Sequence, residues 1–194
     1  MADKPDEAVL QLATAEQWAA WLEAHHGDGR AVWLRHAKQG APEASVSHAE
    51  ALEIALCYGW IDAVKKRLDG HYWLQRWTPR SARSIWSKVN RDKALALIAD
   101  KRMRPNGLTE VQRAQQDGRW DAAYDPVSGA QVPPDLQAAL DATPGAGAFF
   151  ATLNSQNRYA ILFRLQTAKK PDTRARRIAQ FCAMLGRGET IYPQ

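Results

Sequence analysis

Two stretches of helical periodicity near the start of the chain open in the same way. Thr14-Ala-Glu-Gln17 and Ser47-His-Ala-Glu50 both have the form of a capping box, in which a hydroxyl and a Gln or Glu three residues later satisfy each other's backbone amides. Trp18, Trp21, Leu22 and His25 follow the first box at helical spacing, which predicts a helix over about Ala15–His25. Ala51, Leu52, Ala55 and Leu56 follow the second and predict a helix ending near Gly59. Between them, Ala31 to His36 alternates and is rich in β-formers, as a short strand would be. Two further β-like runs, Ala63–Leu68 and His71–Thr78, flank Asp69-Gly70. That dipeptide between such runs predicts a hairpin with a type I′ turn. On the second run, Gln75, Trp77 and Pro79 share one face, and Leu74, Arg76 and Thr78 share the other.

Beyond Pro79 the period is helical. Helices are expected over about Asn90–Lys101 and Leu108–Gln116, with Gly107 as punctuation between them. Leu136 and Leu140 mark a short helix, and Thr143-Pro144 reads as the N-cap and first position of another. Tyr159, Leu162, Phe163 and Gln166 share a face, with Ile161 and Leu165 off it, so that helix is expected to be buried nearly all round. Pro171-Asp172 opens a last helix with an Ile178, Phe181, Cys182, Leu185 stripe and arginines opposite. The sum is an α+β fold: a small antiparallel sheet with a hairpin in the N-terminal half and a helical C-terminal half. Residues 118–134, with Gly118, Pro126, Gly129, Pro133 and Pro134, are the expected linker between an α+β domain over 8–117 and a helical segment over 135–190.

Composition adds the class. Of 194 residues, 45% are hydrophobic and 24% charged, which excludes collagen-like, low-complexity and disordered chains. Cys57 and Cys182 stand far apart within apolar patterns and are expected to be buried thiols of a reducing compartment. The polar, acidic start carries no secretory signal, and no apolar run is long enough for a membrane helix. These features predict a soluble cytoplasmic protein without membrane insertion.

The net charge of +5 is unevenly placed. Between Lys65 and Arg91 eight cations face Asp69 alone, and between Lys169 and Arg187 six face Asp172 alone. The rest of the chain is therefore net acidic, and the positive field is concentrated in two segments. The stretch from Tyr58 to Arg91, which contains the first segment, holds four of the eight tryptophans: Trp60, Trp73, Trp77 and Trp86. Arginine forks match carboxylates and phosphates, and indole faces hold guanidinium groups in place. This marks Trp60, Asp62, Arg76, Thr78, Arg80, Ser84, Trp86 and Asn90 as ligand-binding candidates for a small anion. Of these, Trp60, Asp62, Arg76, Arg80, Trp86 and Asn90 are expected to converge in one cleft between the hairpin and the helices that follow it. Asp62 is the candidate to orient an arginine or to act as acid or base, and Ser84 or Ser87 the candidate to begin a helix that adds free N–H groups. No dinucleotide or P-loop glycine pattern, nucleophile elbow or metal-ligand spacing is present, so no cofactor and no metal are expected.

These residues also carry a likeness. Gly59-Trp-Ile-Asp62, Arg76-Trp-Thr-Pro-Arg80, Ser84-Ile-Trp-Ser-Lys-Val-Asn90 and Met103-Arg-Pro-Asn-Gly107 resemble the bacterial YdeI/OmpD-associated, or bacteriocin-protection, family. So do Asp117–Tyr124, Pro134–Leu140 and Gln166–Ile178, so that the resemblance runs from about residue 8 to 190. Trp77 stands where the family pattern has Phe. The resemblance implies a role in resistance to bacteriocins or envelope stress and association with an outer-membrane porin, and it implies no reaction or cofactor. Three functions are open at this point: a non-enzymatic binder of a small anionic ligand, an enzyme using Asp62 beside arginines, and an interaction module for nucleic acid or a protein partner through the C-terminal arginine face. The first two need a concave pocket; the third needs a broad basic surface.

Overall fold

The computed structural model describes residues 7–194, which hold four strands and eight α-helices in two compact units. The first unit comprises residues up to Trp86 together with Asn90–Ala123, and the second comprises Ser87–Val89 with Tyr124–Gln194. Residues 118–134, expected as a linker, are divided between them. Arg119 and Trp120 are buried in the first unit, and the chain from Tyr124 onward belongs to the second.

In the first unit, β1 (Val9–Leu10), β2 (Val32–Ala37), β3 (Trp60–Arg67) and β4 (Tyr72–Pro79) form one sheet in the order β1-β2-β4-β3. The β2–β4 and β3–β4 pairs are antiparallel, as expected of an α+β fold with a small antiparallel sheet, and the short β1 adds one parallel pair to β2. A two-residue strand carries too little pattern to be read from sequence. Helices α1 (Ala15–His25) and α2 (His48–Cys57) start at the two anticipated capping boxes, with Thr14 accepting from Gln17 N–H and Ser47 from Glu50 N–H. The alternation of β4 places Gln75 and Trp77 opposite Leu34 and Val32 of β2, and all four are buried. Trp18 and Leu22 of α1, Ala51, Ala55 and Leu56 of α2, and Trp60, Trp77 and Trp86 complete this core.

The hairpin forms, but its turn is not type I′. Neither Asp69 nor Gly70 has positive φ, which type I′ requires. Instead the Asp69 carboxylate accepts the amides of His71 (2.7 Å) and Tyr72 (2.8 Å), and those bonds hold its pKa below the usual carboxylate range. The side chain substitutes for the backbone turn.

Helices α3 (Lys88–Ala99) and α4 (Pro105–Gln116) follow. Gly107 lies inside α4 rather than between helices. The second unit is built from α5 (Pro134–Ala142), α6 (Ala146–Thr152), α7 (Ser155–Gln166) and α8 (Pro171–Gly186). Residues 87–89 join this unit through the pairing of Ser87 and Lys88 with Tyr124. Thr143-Pro144 precedes α6 but does not cap it. Gly145, at φ 77°, is the N-cap, and the Thr143 hydroxyl instead donates back to Ala139 C=O of α5. In α7 the buried set is Asn157, Ala160, Ile161, Leu162 and Leu165, whereas Tyr159 and Phe163 are half-buried and Gln166 is exposed. The helix thus buries Leu162 of the expected face together with Ile161 and Leu165 that lay off it, and it is not buried nearly all round, since Ser155, Gln156, Arg158 and Gln166 are exposed. In α8, Ile178, Cys182 and Leu185 are buried and Phe181 is half-buried. Both cysteines are buried free thiols, and burial pushes each pKa up.

Candidate functional site

A cleft of about 920 Å³ opens in the first unit where β2 begins and β4 ends. Antiparallel pairing sets the start of one strand beside the finish of the other, so residues distant in sequence share this rim. Arg76 and Thr78 of β4 and Arg80 and Ser84 of the following turn line it, together with Glu7, Trp21, Asp28 and Arg30.

Each cation is held differently. Arg76 forms a forked ion pair with Glu7, its Nε 2.7 Å from Glu7 Oε2, and this partner raises the already high pKa of the guanidinium. Arg80 is buried, with its guanidinium carbon 3.6 Å from the ring centroid of Trp86 and Nη1 donating to Ile85 C=O. Trp86 is itself wedged on Trp120, with ring centroids 4.9 Å apart. Arg119 is buried beneath the 81–84 turn and donates to Ser84 C=O at 2.7 Å, while Asp117 holds its other edge. The wall carrying Arg80 and Ser84 is therefore fixed by stacking and by a buried charge-assisted bond. Arg30 is exposed and makes no ion pair among the described residues. The lining carries three arginines against Glu7 and Asp28, and Asp28 is in turn hydrogen-bonded to His25.

Of the eight residues marked from sequence, four line this cleft: Arg76, Thr78, Arg80 and Ser84. Trp86 stands behind Arg80 as its stacking platform. Trp60 is core, edge-on to Trp18 and Trp21, and its Nε1 donates to His26 C=O. Asn90 lies in α3, outside the lining. Asp62 is on the other face of the sheet. It registers with Trp77, whereas the adjacent Arg76 registers with Trp33 and points the opposite way. Asp62 meets a histidine and not an arginine: His48 Nε2 lies 3.3 Å from its Oδ2. Arg30, Glu7 and Asp28 carried no sequence signal beyond their charge, because a tertiary contact, not a local motif, brings them to the rim.

The face holding Asp62 also carries His36, which is 1% exposed and bonded through Nδ1 to Val46 C=O (2.9 Å). Burial first, and the neighbouring His48 in addition, depress its pKa to about 4 against the opposing effect of the Val46 bond. Above pH 6.5 the imidazole is neutral in both folded and unfolded chains. Below it the unfolded chain takes up a proton that the folded one refuses until about pH 4, so stability is lost as pH falls through that window. The expected loss is about 3 kcal/mol between pH 7.5 and pH 4. Urea denaturation of the protein and of His36→Gln at both pH values checks this. Equal pH dependence of the two proteins would show that His36 contributes nothing.

In the second unit, a smaller cavity of about 440 Å³ is lined by Lys88, Asp125, the 129–134 segment, Gln166 and Arg174. Its charges are mutually satisfied. Lys88 and Gln166 both bond Asp125, and Arg174 forks onto Asp135 while donating to Leu165 C=O. On α8 itself Arg174 and Arg177 are engaged, the latter on Arg164 C=O, whereas Arg176 is exposed and makes no ion pair among the described residues; Arg187, just past the helix, pairs with Glu189. Among the described residues no group of three or more His, Cys, Asp or Glu is placed to hold a metal, and no helix is long and apolar enough to cross a membrane.

Comparison with known families divides along the same chain. A family model described as a domain of unknown function (DUF8412) matches residues 10–110, and one described as bacteriocin-protection, YdeI or OmpD-associated matches residues 129–188. The motifs around Trp60, Arg76–Arg80 and Ser84–Asn90 fall in the first span, and Gln166–Ile178 falls in the second. Neither the curated proteins nor the solved structures give a match.

Proposed function

From the premise that the chain belongs to the family of that domain of unknown function and carries a bacteriocin-protection, YdeI or OmpD-associated domain behind it, we propose that it is a non-catalytic binder of a small anionic ligand, held in the cleft at the β2–β4 rim. One observation carries this reading: Arg30, Arg76 and Arg80 line a single cleft large enough for a metabolite, with the Arg80 wall fixed in advance by Trp86 and Arg119. Preorganised cations lose little entropy on capture, and a concave rim excludes competing water. Thr78 and Ser84 supply hydroxyls for further acceptor oxygens. A bacteriocin-protection or stress role for this binding is part of the same proposal, supported only by the description of the family model that matches residues 129–188. The reading leaves Asp62 without a part in the site, since it faces away from the arginines.

Arg30 is the residue to test, because it is exposed and its loss removes no packing, whereas Arg80 is buried and its loss would undo the wall. A thermal-shift panel of phosphate-, sulfate- and carboxylate-bearing small molecules should raise the melting temperature for at least one, since a ligand that binds only the native state stabilises it. For that ligand, Arg30→Ala should weaken binding by about tenfold in titration calorimetry, the worth of one charge-assisted contact, with an unchanged melting temperature for the free protein. No stabilising anion, or an anion bound equally by Arg30→Ala and Arg76→Gln, would overturn the proposal.

A further inference from the structure

The outer edge of β3 lies apart from the cleft and has its own character. β3 is the last strand of the sheet, and its residues from Ala63 to Arg67 are all exposed. The hydrogen-bonding phase of the hairpin follows from its turn. Leu68 N–H donates to Tyr72 C=O, so Leu68 and Tyr72 form a hydrogen-bonded pair and, by alternation, so do Lys66 and Leu74. The backbone N–H and C=O of Lys65 and Arg67 therefore point away from the sheet. A bulge between Asp62 and Lys65 interrupts the ladder upstream, and Gln75 Nε2 donates to Val64 C=O there. The open edge is thus a short segment centred on residues 65–67.

Its side chains are three consecutive cations without a carboxylate partner among the described residues. Two are positioned: Lys65 Nζ lies 5.0 Å from the ring centroid of Trp73 on one face of the sheet, and Lys66 Nζ lies 4.4 Å from that of Trp33 on the other. Val64 and Leu68, 59% and 47% exposed, bracket the triplet.

We propose that this edge docks an acidic segment of a partner protein in extended conformation, added as a fifth strand beside β3. An open edge offers backbone groups that only another backbone satisfies in series. Acidic side chains at successive positions of the added strand would lie directly across from Lys65 and Arg67 on one face and Lys66 on the other, where opposite charges attract across a strand pair. The same triplet disfavours a second copy of this edge, because like charges would then stand opposite one another. It also disfavours nucleic acid in one respect: the ring faces of Trp33 and Trp73 that could stack on bases are already covered by lysines.

The test uses the full chain and a fluorescent nine-residue peptide with three consecutive glutamates between flanking valines. Its controls are the lysine–valine counterpart, a glutamate peptide with proline at its centre, and an oligothymidylate. Anisotropy should show binding of the glutamate–valine peptide, weakened at least about tenfold by the double variant Lys65→Glu/Arg67→Glu and by the central proline. Amide hydrogen exchange should slow at Lys65 and Arg67 in the complex and not at Lys66, whose amide is already in the ladder. Absence of binding would overturn the proposal. So would binding of the proline peptide or the oligothymidylate as tightly as the glutamate–valine peptide, or binding without protection of the Lys65 and Arg67 amides, because either would make the edge a general polyanion surface.

Discussion

Gly107→Ala is expected to destabilise the protein by about 3 kcal/mol or more, although alanine is the better helix former by about 1 kcal/mol. Gly107 is the third residue of α4 and is buried. A Cβ there would lie 2.3 Å from Cys57 C=O oxygen and 2.8 Å from that of Leu56, both backbone atoms at the end of α2. Neither carbonyl is free to swing aside. Cys57 C=O accepts from Arg104 N–H at 3.0 Å, and Leu56 C=O accepts from Gly59 N–H at 3.1 Å. Gly59, at φ 75°, turns the chain from α2 into β3 and lies against Asn106 C=O on the same helix. The two glycines let the α2 end and the α4 start touch backbone to backbone, and that contact sets where β3 departs. Urea denaturation decides the matter by sign. If Gly107 were an ordinary helical glycine, alanine would stabilise; a neutral or stabilising result would show that the helices are farther apart than described.

That glycine also shows where a sequence stops being legible. Between two helical patterns it reads as punctuation, because a helix-breaking glycine and a close-contact glycine are the same letter. The capping boxes were legible because their chemistry is complete within four residues: Thr14 with Gln17, Ser47 with Glu50. The hairpin was legible for the same reason, but its turn type was not. The Asp69 carboxylate could take the amides itself, and nothing in the dipeptide alone excludes that. In α7, Tyr159, Phe163 and Gln166 matched one face as well as Ile161 and Leu165 matched another, and only the rest of the unit chooses between them.

The candidate site divides in the same way. Arg76, Thr78, Arg80 and Ser84 lie within nine residues, and strand alternation puts the first two on one side, so their shared cleft was within reach of sequence. The placement of Asp62 was not. It depends on the register of β3 against β4, and that register shifts at the bulge between Asp62 and Lys65. Arg30, Glu7 and Asp28 come to the rim only through the pairing of β2 with β4 and the docking of α1, neither of which leaves a local mark.

The tryptophans were harder still, since a buried indole and a ligand-stacking indole have the same sequence signal, and Trp77 provides the second large effect. Trp77→Ala is expected to cost about 3–5 kcal/mol, as for other large aromatic residues removed from a core. Its ring is fully buried, 5.9 Å from Trp18 and 5.6 Å from His48 between centroids. Trp77→Phe should be far milder, at about 1 kcal/mol or less. The phenyl ring gives up packing volume, but the substitution also deletes an indole N–H that is buried without a hydrogen-bond partner among the described residues. Leaving such a donor unsatisfied costs about 1–3 kcal/mol, which offsets much of the lost packing. Trp18 provides the contrast. It is equally buried, but its Nε1 donates to Ala51 C=O at 3.1 Å, so Trp18→Phe loses both volume and a made bond. Denaturant midpoints should therefore place Trp77→Phe close to the parent protein and Trp18→Phe about 1–2 kcal/mol below it. If the two phenylalanine variants were equally destabilised, the Trp77 donor must be satisfied in solution, and the reason phenylalanine is expected to serve at that position would be lost.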